Sequence, residues 1–167
     1  MLRTSVLLLG LAFAAFGQLK VAIINAQAAV IDTAEIKKAQ AELEAKYKPR
    51  QTQIEALQKE IADLEQQLQT GQGKLTPQAM QDIQIRGQRK QRELQRMGED
   101  LQGEVDRERN DILGRSGQRM QEVVKKMAEE RGYDVVVDVT NTVYYKPGLE
   151  ITKEATAAYD KAYPAAK

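Results

Sequence analysis

The stretch Gly71-Gln-Gly-Lys-Leu-Thr-Pro77 separates two long helical runs. Thr76 followed by Pro77 is a helix-start pair, because proline at the first helical position loses no hydrogen bond. A linker of about seven residues between two long helices predicts an antiparallel hairpin. We expect the first helix over 34–69 and the second over 78–131. At about 1.5 Å per residue, this hairpin would form an arm roughly 50–60 Å long.

Apolar residues in both runs repeat at the spacing of a coiled-coil seam. The repeat is clean before the turn and less clean after it. The seam positions are Ile54, Leu57, Ile61, Leu64 and Leu68 in the first helix, and Met80, Ile83, Gly87, Lys90, Leu94, Met97 and Leu101 in the second. Methionine is the most adaptable apolar residue, which suits contact with a variable partner. Ordinary seam packing is the alternative explanation for each methionine.

Two features predict departures from a straight arm. Pro49 lies inside the first helical run, where it removes an amide donor and clashes with the preceding turn. We therefore expect a kink or a short break near Tyr47-Lys48. The second run contains five glycines, and each costs up to about 1 kcal/mol relative to alanine in a helix interior. They are Gly87, Gly98, Gly103, Gly114 and Gly117. Either the arm bends at these glycines, or some of them allow close helix contact.

The amino-terminal stretch has the pattern of a secretory signal peptide. A short basic start precedes an apolar run over 6–16, and small residues lead to Gly17, where we expect cleavage. An uncleaved membrane anchor is the alternative, for which about seventeen residues are short. Removing Arg3 from the 25 basic residues of the full sequence leaves 24, against 24 acidic residues. The mature chain is expected to be exported and electrically neutral.

Short apolar runs near both ends predict a small body at the base of the arm. Strand-forming residues occur at 20–25, 133–139 and 141–145, and the middle run is typical of a strand buried on both faces. Thr140-Asn141 is a plausible hairpin turn. From Thr152 the apolar spacing predicts a short closing helix. Because three short strands bury too little surface alone, we expect strands of several subunits to assemble. A monomeric α+β body is the alternative.

Basic residues cluster near the tip of the arm on the second helix, with Glu93 as the single local counter-charge. They are Arg86, Arg89, Lys90, Arg92 and Arg96. Such a patch favours contact with anionic lipid head groups or acidic segments of a partner. An ordinary solvated helix face is the alternative. Nucleic acid is not expected, because no aromatic residues interleave with the basic ones.

Composition argues against most kinds of catalytic or metal site. With neither Cys nor His, disulfides, thiol chemistry, haem and ordinary zinc sites are excluded. Asp134 and Asp138 flank a strand, and turn contacts explain them better than paired catalytic carboxylates do. No Gly-rich phosphate loop is present. We therefore expect no enzyme activity, no cofactor and no use of ATP.

The order of these segments resembles the Skp (OmpH-like) family of periplasmic chaperones across essentially the whole mature chain. The most diagnostic segments are Lys20-Val-Ala-Ile-Ile-Asn25, Tyr133-Asp-Val-Val-Val-Asp138 and Thr142-Val-Tyr-Tyr145. The resemblance implies a homotrimer with a jellyfish-like α+β fold, in which strands join into a central body and arms enclose a cavity. The expected organisation is a signal peptide at 1–17, a β-rich trimerisation body with a short closing helix at 18–33 and 132–167, and a helical arm at 34–131 with its tip near 70–77.

The resemblance also implies a function, that of a holdase for unfolded outer-membrane β-barrel proteins in the periplasm, without ATP. Its body strands correspond here to Val21, Ile23, Val135, Val137 and Tyr144. Our candidates for client or anionic-lipid contact on the arm are Arg86, Arg89, Lys90, Arg92, Arg96, Met80 and Met97. Family members are often clearly basic, whereas this mature chain is neutral. Electrostatic attraction of acidic clients is therefore expected mainly at the basic cluster near the tip. The alternative functions are a structural coiled-coil spacer or adaptor of the cell envelope and, more weakly, a binder of anionic polymers.

Overall fold

The computed structural model describes residues 19–165. The predicted signal peptide lies outside these residues. In chain order the elements are β1 (Val21–Ile24), α1 (Ala26–Ile31), α2 (Ala34–Thr70), α3 (Pro77–Arg131), β2 (Val135–Asp138) and α4 (Thr152–Ala162). Two short 3-10 turns, Val139–Asn141 and Pro147–Leu149, lie between β2 and α4.

The predicted hairpin is confirmed, because α2 and α3 run antiparallel on either side of a short turn. Thr76 caps α3 by accepting a hydrogen bond from the Ala79 amide at 3.2 Å, and Pro77 follows at the first helical position. Within the turn, Gly71 is the residue that the packing requires. An alanine Cβ at that position would lie 2.3 Å from Leu75 Cδ1 and 2.7 Å from the Gln67 carbonyl oxygen.

Apolar packing holds the outer half of the hairpin together. Leu57, Ile61 and Leu64 of α2 and Ile83 of α3 are buried, as the seam spacing predicts. The expected short break near Tyr47-Lys48 is wrong, because α2 continues through these residues and Pro49 without interruption, while a kink there stays a prediction. Contacts with α3 anchor this part of α2: Tyr47 is 4% exposed and its hydroxyl donates to Glu108 at 2.8 Å.

The five glycines of α3 are not explained by close helix contact within the chain. A Cβ placed on any of Gly87, Gly98, Gly103, Gly114 or Gly117 would meet nothing within 4 Å. Each glycine therefore weakens the helix without making room for a neighbouring element of the described chain.

At the base of the arm, β1 and β2 pair in parallel and are covered on one face by helices. The register joins Val21 to Val135 and Ile24 to Asp138. The core consists of Ala22, Ile24, Ala29, Met120, Val123, Met127, Ile151, Ala155 and Tyr159. The predicted closing helix is present as α4, and with the last turns of α3 it gives the body an apolar core of its own. Met120 and Met127 accordingly belong to this core.

The predicted third strand and its hairpin turn are wrong. Residues 139–141 form a 3-10 turn, because the Asp138 carboxylate accepts the Thr140 amide at 2.9 Å. Residues 142–146 belong to no helix or strand. The position beside β1 is taken instead by Glu150, which forms a parallel bridge to Ile23. Tyr144 consequently lies on no strand in this chain and is 80% exposed.

Candidate functional site

The two faces of the small sheet have different surroundings. Paired residues of a parallel sheet lie on the same face, and successive residues alternate between faces. Ala22 and its partner Val136 face the helical core. Val21 and Ile23, with their partners Val135 and Val137, lie on the opposite face. The register therefore brings together four of the five residues predicted for the body.

Among residues 19–165 this second face is unevenly covered: Ile23 is 4% exposed, whereas Val21 and Val137 are half-buried. Val135 is 43% exposed, so the expectation of a strand buried on both faces is wrong for the single chain. β2 has β1 as its one strand partner among residues 19–165, which leaves the other edge of β2 unpaired. The segment after β2 adds Val143, which is fully exposed, and the exposed Tyr144 and Leu149. Unpaired edges and exposed apolar side chains are features of interaction surfaces.

The basic cluster near the tip divides into two parts. Arg86, Arg89, Arg92 and Arg96 are exposed, and steps of three and four residues place them on neighbouring positions of one helix surface. Lys90 is half-buried and forms an ion pair with Glu60 of α2. Among residues 19–165, no other member of the cluster forms an ion pair. Lys90 therefore joins the two helices, while the four arginines face outward.

Two predicted contact residues on the arm are partly accessible. Met80 and Met97 are half-buried, in contrast to the buried Leu57 and Ile61 of the same hairpin. Their thioether side chains thus share in the seam and also reach the surface, where an adaptable apolar contact can form.

A polar network at the root of the arm was not predicted from the sequence. The Glu35 carboxylate of α2 accepts hydrogen bonds from Arg119 of α3 at 2.9 and 3.2 Å and from the Tyr159 hydroxyl of α4. Burial, together with the bond to Glu35, raises the pKa of Tyr159 above its usual range. The bond with Tyr159 and the charge of Glu35 raise the pKa of Arg119. This network fastens both helices of the arm to the closing helix.

A second set of polar contacts joins the helices further along the arm. Glu104 pairs with Arg50 at 2.7 Å, and Glu108 binds both Lys46 and Tyr47. Hydrogen bonding to Lys46 and Tyr47 holds the pKa of Glu108 below its usual range. These pairs are largely solvent-exposed, so they fix the alignment of the helices more than they stabilise the fold.

Neither a metal centre nor a membrane span appears in the described part of the chain. Residues 19–165 contain no cluster of three or more acidic side chains arranged to hold a metal ion. None of their helices combines the length and apolar character needed to cross a bilayer.

Comparison with known proteins gives consistent similarities. A family model described as outer membrane protein (OmpH-like) matches residues 20–159. A Skp-like protein from Pseudomonas aeruginosa is 22% identical over 140 residues, covering 84% of this chain and 83% of that protein. A crystal structure described as an outer membrane chaperone (OmpH-like) from Caulobacter crescentus aligns with a TM-score of 0.70 at 19% identity, covering 90% of this chain and 89% of that one. At this identity, the structural likeness establishes the shared fold.

Proposed function

The chain belongs to the OmpH-like family of outer membrane proteins, and from this membership we propose that it is an ATP-independent holdase chaperone of the periplasm. Its clients are unfolded outer-membrane β-barrel proteins, which it keeps from aggregating during transit. Strands of such clients alternate apolar and polar residues and aggregate when exposed to water.

The long hairpin arm is the observation that carries this proposal. Its helices span 37 and 55 residues, and only a small body lies at their base. A binder of many sequences needs diffuse, adaptable contacts rather than one shaped pocket. The half-buried Met80 and Met97 and the open-space glycines of α3 are consistent with an arm that adapts to its client.

Assembly into a homotrimer is the second part of the proposal. Three features support a surface for a second copy. They are the partly exposed Val21, Val135 and Val137 on one face of the sheet, the unpaired edge of β2, and the exposed Tyr144. A strand edge accepts another strand through main-chain hydrogen bonds. The number three comes from the family resemblance, in which three arms enclose a cavity.

The four outward arginines near the tip support electrostatic contact with acidic client segments or with anionic lipid head groups. Arg86, Arg89, Arg92 and Arg96 have no ion pair within residues 19–165. Because contacts between exposed charges are screened by salt, this part of the binding should weaken as ionic strength rises.

Light scattering behind size exclusion tests the function directly. The chain from Gln18 onward is run alone, and then after mixing with a urea-unfolded outer-membrane barrel protein diluted into buffer without nucleotide. A trimer that forms a soluble complex with one client chain is the expected result. A stable oligomer that leaves the client to precipitate would instead favour a structural spacer.

A further inference from the structure

The apolar seam of the hairpin is interrupted close to the body. Within the described chain, α2 has no buried side chain between Ile36 and Tyr47, and α3 has none between Ile83 and Ser116. Several apolar side chains in this interval are half-buried. They include Ala39, Leu43, Val105 and Ile112. The two helices do not close over one another here as they do nearer the tip.

These side chains line a groove of about 500 Å³, which we call the shoulder groove. α1 forms a third wall with Ile31, which is 44% exposed. The volume lies within the range of roughly 300–1,000 Å³ that is usual for ligand-binding clefts. The groove is thus large enough for two bulky apolar side chains, and nothing among residues 19–165 fills it.

In the part of the chain that the structure describes, Arg109 is the single charged residue that lines the groove. Its side chain is exposed, and among residues 19–165 no carboxylate pairs with it. An arginine can lay its apolar stem along the wall and hold its guanidinium at the rim. The groove therefore combines an apolar floor with one unpaired positive charge at its edge.

We propose that the shoulder groove binds an extended client segment in which apolar residues alternate with acidic ones. In an extended chain, alternate side chains point to the same side and lie about 7 Å apart. Two apolar side chains enter the groove, and the acidic residue between them points outward, where the exposed Arg109 guanidinium at the rim can meet it. The inference rests on the proposed holdase function and locates one contact within it.

Two matched pairs of variants test the assignment in the full chain from Gln18 onward. Ala39→Trp fills the groove, and Ala41→Trp places the same bulk on an exposed position of α2 outside it. Arg109→Glu reverses the charge at the rim, and Arg107→Glu makes the same change in net charge outside the groove. The probes are two fluorescein-labelled ten-residue peptides, one alternating Leu with Glu and the other alternating Leu with Lys.

Fluorescence anisotropy should show that the wild type prefers the Glu peptide. Ala39→Trp and Arg109→Glu should weaken its binding by about tenfold, while both control variants bind as the wild type does. Arg109→Glu should also abolish or reverse the preference over the Lys peptide. Circular dichroism and solution mass are recorded for every variant to establish that the fold and assembly are kept.

Several outcomes would overturn the inference. It fails if the wild type binds neither peptide, if the groove variants bind as well as their controls, or if the two peptides bind equally. A change in solution mass confined to Ala39→Trp, with peptide binding unchanged, would mean that another copy of the chain occupies the groove. The proposed holdase function is tested in a separate assay, which measures suppression of barrel-protein aggregation. If the wild type and Ala39→Trp suppress aggregation equally and also bind the peptides equally, that result would support the proposed function but not this site.

Discussion

Asp138 ends β2 and ties it to two neighbouring segments. Its carboxylate accepts hydrogen bonds from the Ala26 amide at 3.1 Å, from the Thr140 amide at 2.9 Å and from the Thr140 hydroxyl at 2.6 Å. These bonds, led by the Thr140 hydroxyl, lower the pKa of Asp138. Asp134 similarly accepts from the Lys20 amide at 2.7 Å. The expectation that these two aspartates make turn and strand-end contacts is confirmed.

We predict that Asp138→Asn lowers stability and flattens its dependence on acid. Because the folded-state pKa lies below the unfolded value of about 3.9, the contribution of Asp138 is fully present above that value. It is lost as the pH falls through the folded-state pKa. The variant should lose about 1 kcal/mol at neutral pH. Urea unfolding at a series of pH values measures this, with the exposed Asp111→Asn as control. Parallel pH profiles for the two variants would contradict the prediction.

Tyr159→Phe tests the network at the root of the arm. Tyr159 is fully buried, so removing its hydroxyl leaves the Glu35 carboxylate without one of its partners. The free energy of unfolding should fall by about 1–2 kcal/mol. Tyr163→Phe removes a comparable but exposed bond to Glu122 and should have a smaller effect in the same urea titration. An equal loss in both variants would argue against a special role for the Glu35 contact.

Local sequence signals predict the hairpin. The pairing of the strands and the continuity of α2 depend on contacts between distant segments, which local signals do not show. A cap, a proline and a seam repeat specify a helix from neighbouring residues alone. The partner of a strand depends instead on which segments meet in the folded body. The run at 141–145 has strand-forming residues, yet Glu150 lies beside β1 because α4 draws the following residues into the core. Pro49 does not break α2 for a similar reason, since the packing of Tyr47 against α3 favours a continuous helix.

Gly98→Ala and Gly103→Ala are expected to stabilise α3. A Cβ at either position enters open space, so helix propensity alone should raise stability by up to about 1 kcal/mol for each change. Urea unfolding and amide hydrogen exchange along α3 measure the gain. Gly71→Ala is the matched opposite, because its Cβ would overlap Leu75, and it should destabilise the turn.

The same alanine variants decide between the two explanations of the glycines. If bending serves client binding, stabilised arms should suppress aggregation of a barrel protein less well than the wild type. A loss of stability in Gly98→Ala or Gly103→Ala would show that a partner chain approaches the helix at that glycine. Unchanged aggregation suppression with a more stable arm would remove bending from the mechanism.

At the scale of the proposed assembly, the resemblance indicates which residues form the interface. It does not show that four of them lie on one face of the sheet. Strand-forming runs predict strands around Val21, Ile23, Val135 and Val137, and the resemblance assigns these residues to the body. Only the register of β1 with β2 puts them side by side. A shift of one residue would have turned half of them toward the core. The arginines near the tip were recognisable because they lie close in sequence, whereas the pairing of Lys90 with Glu60 depends on how the helices align.

Val137→Asp is predicted to dissociate the proposed homotrimer. The change places a carboxylate on the second face of the sheet, where a neighbouring copy would bury it without a partner. Light scattering should show the mass falling to that of a single chain. Ala157→Asp adds the same charge at an exposed position of α4 and should leave the mass unchanged. If Val137→Asp keeps the native mass, this face is not the interface.

The parallel pairing of β1 with β2 sets the order in which the segments of the fold become available during synthesis. Lys20 and Asp134, whose hydrogen bond lies at the start of the sheet, are 114 residues apart. A chain that emerges amino end first therefore carries β1 unpaired until the whole hairpin has followed it. The turn at the tip closes over a short separation and can form early. Both helices of the arm are therefore present before β2, and a chain cut short between α3 and β2 keeps the arm but lacks the sheet.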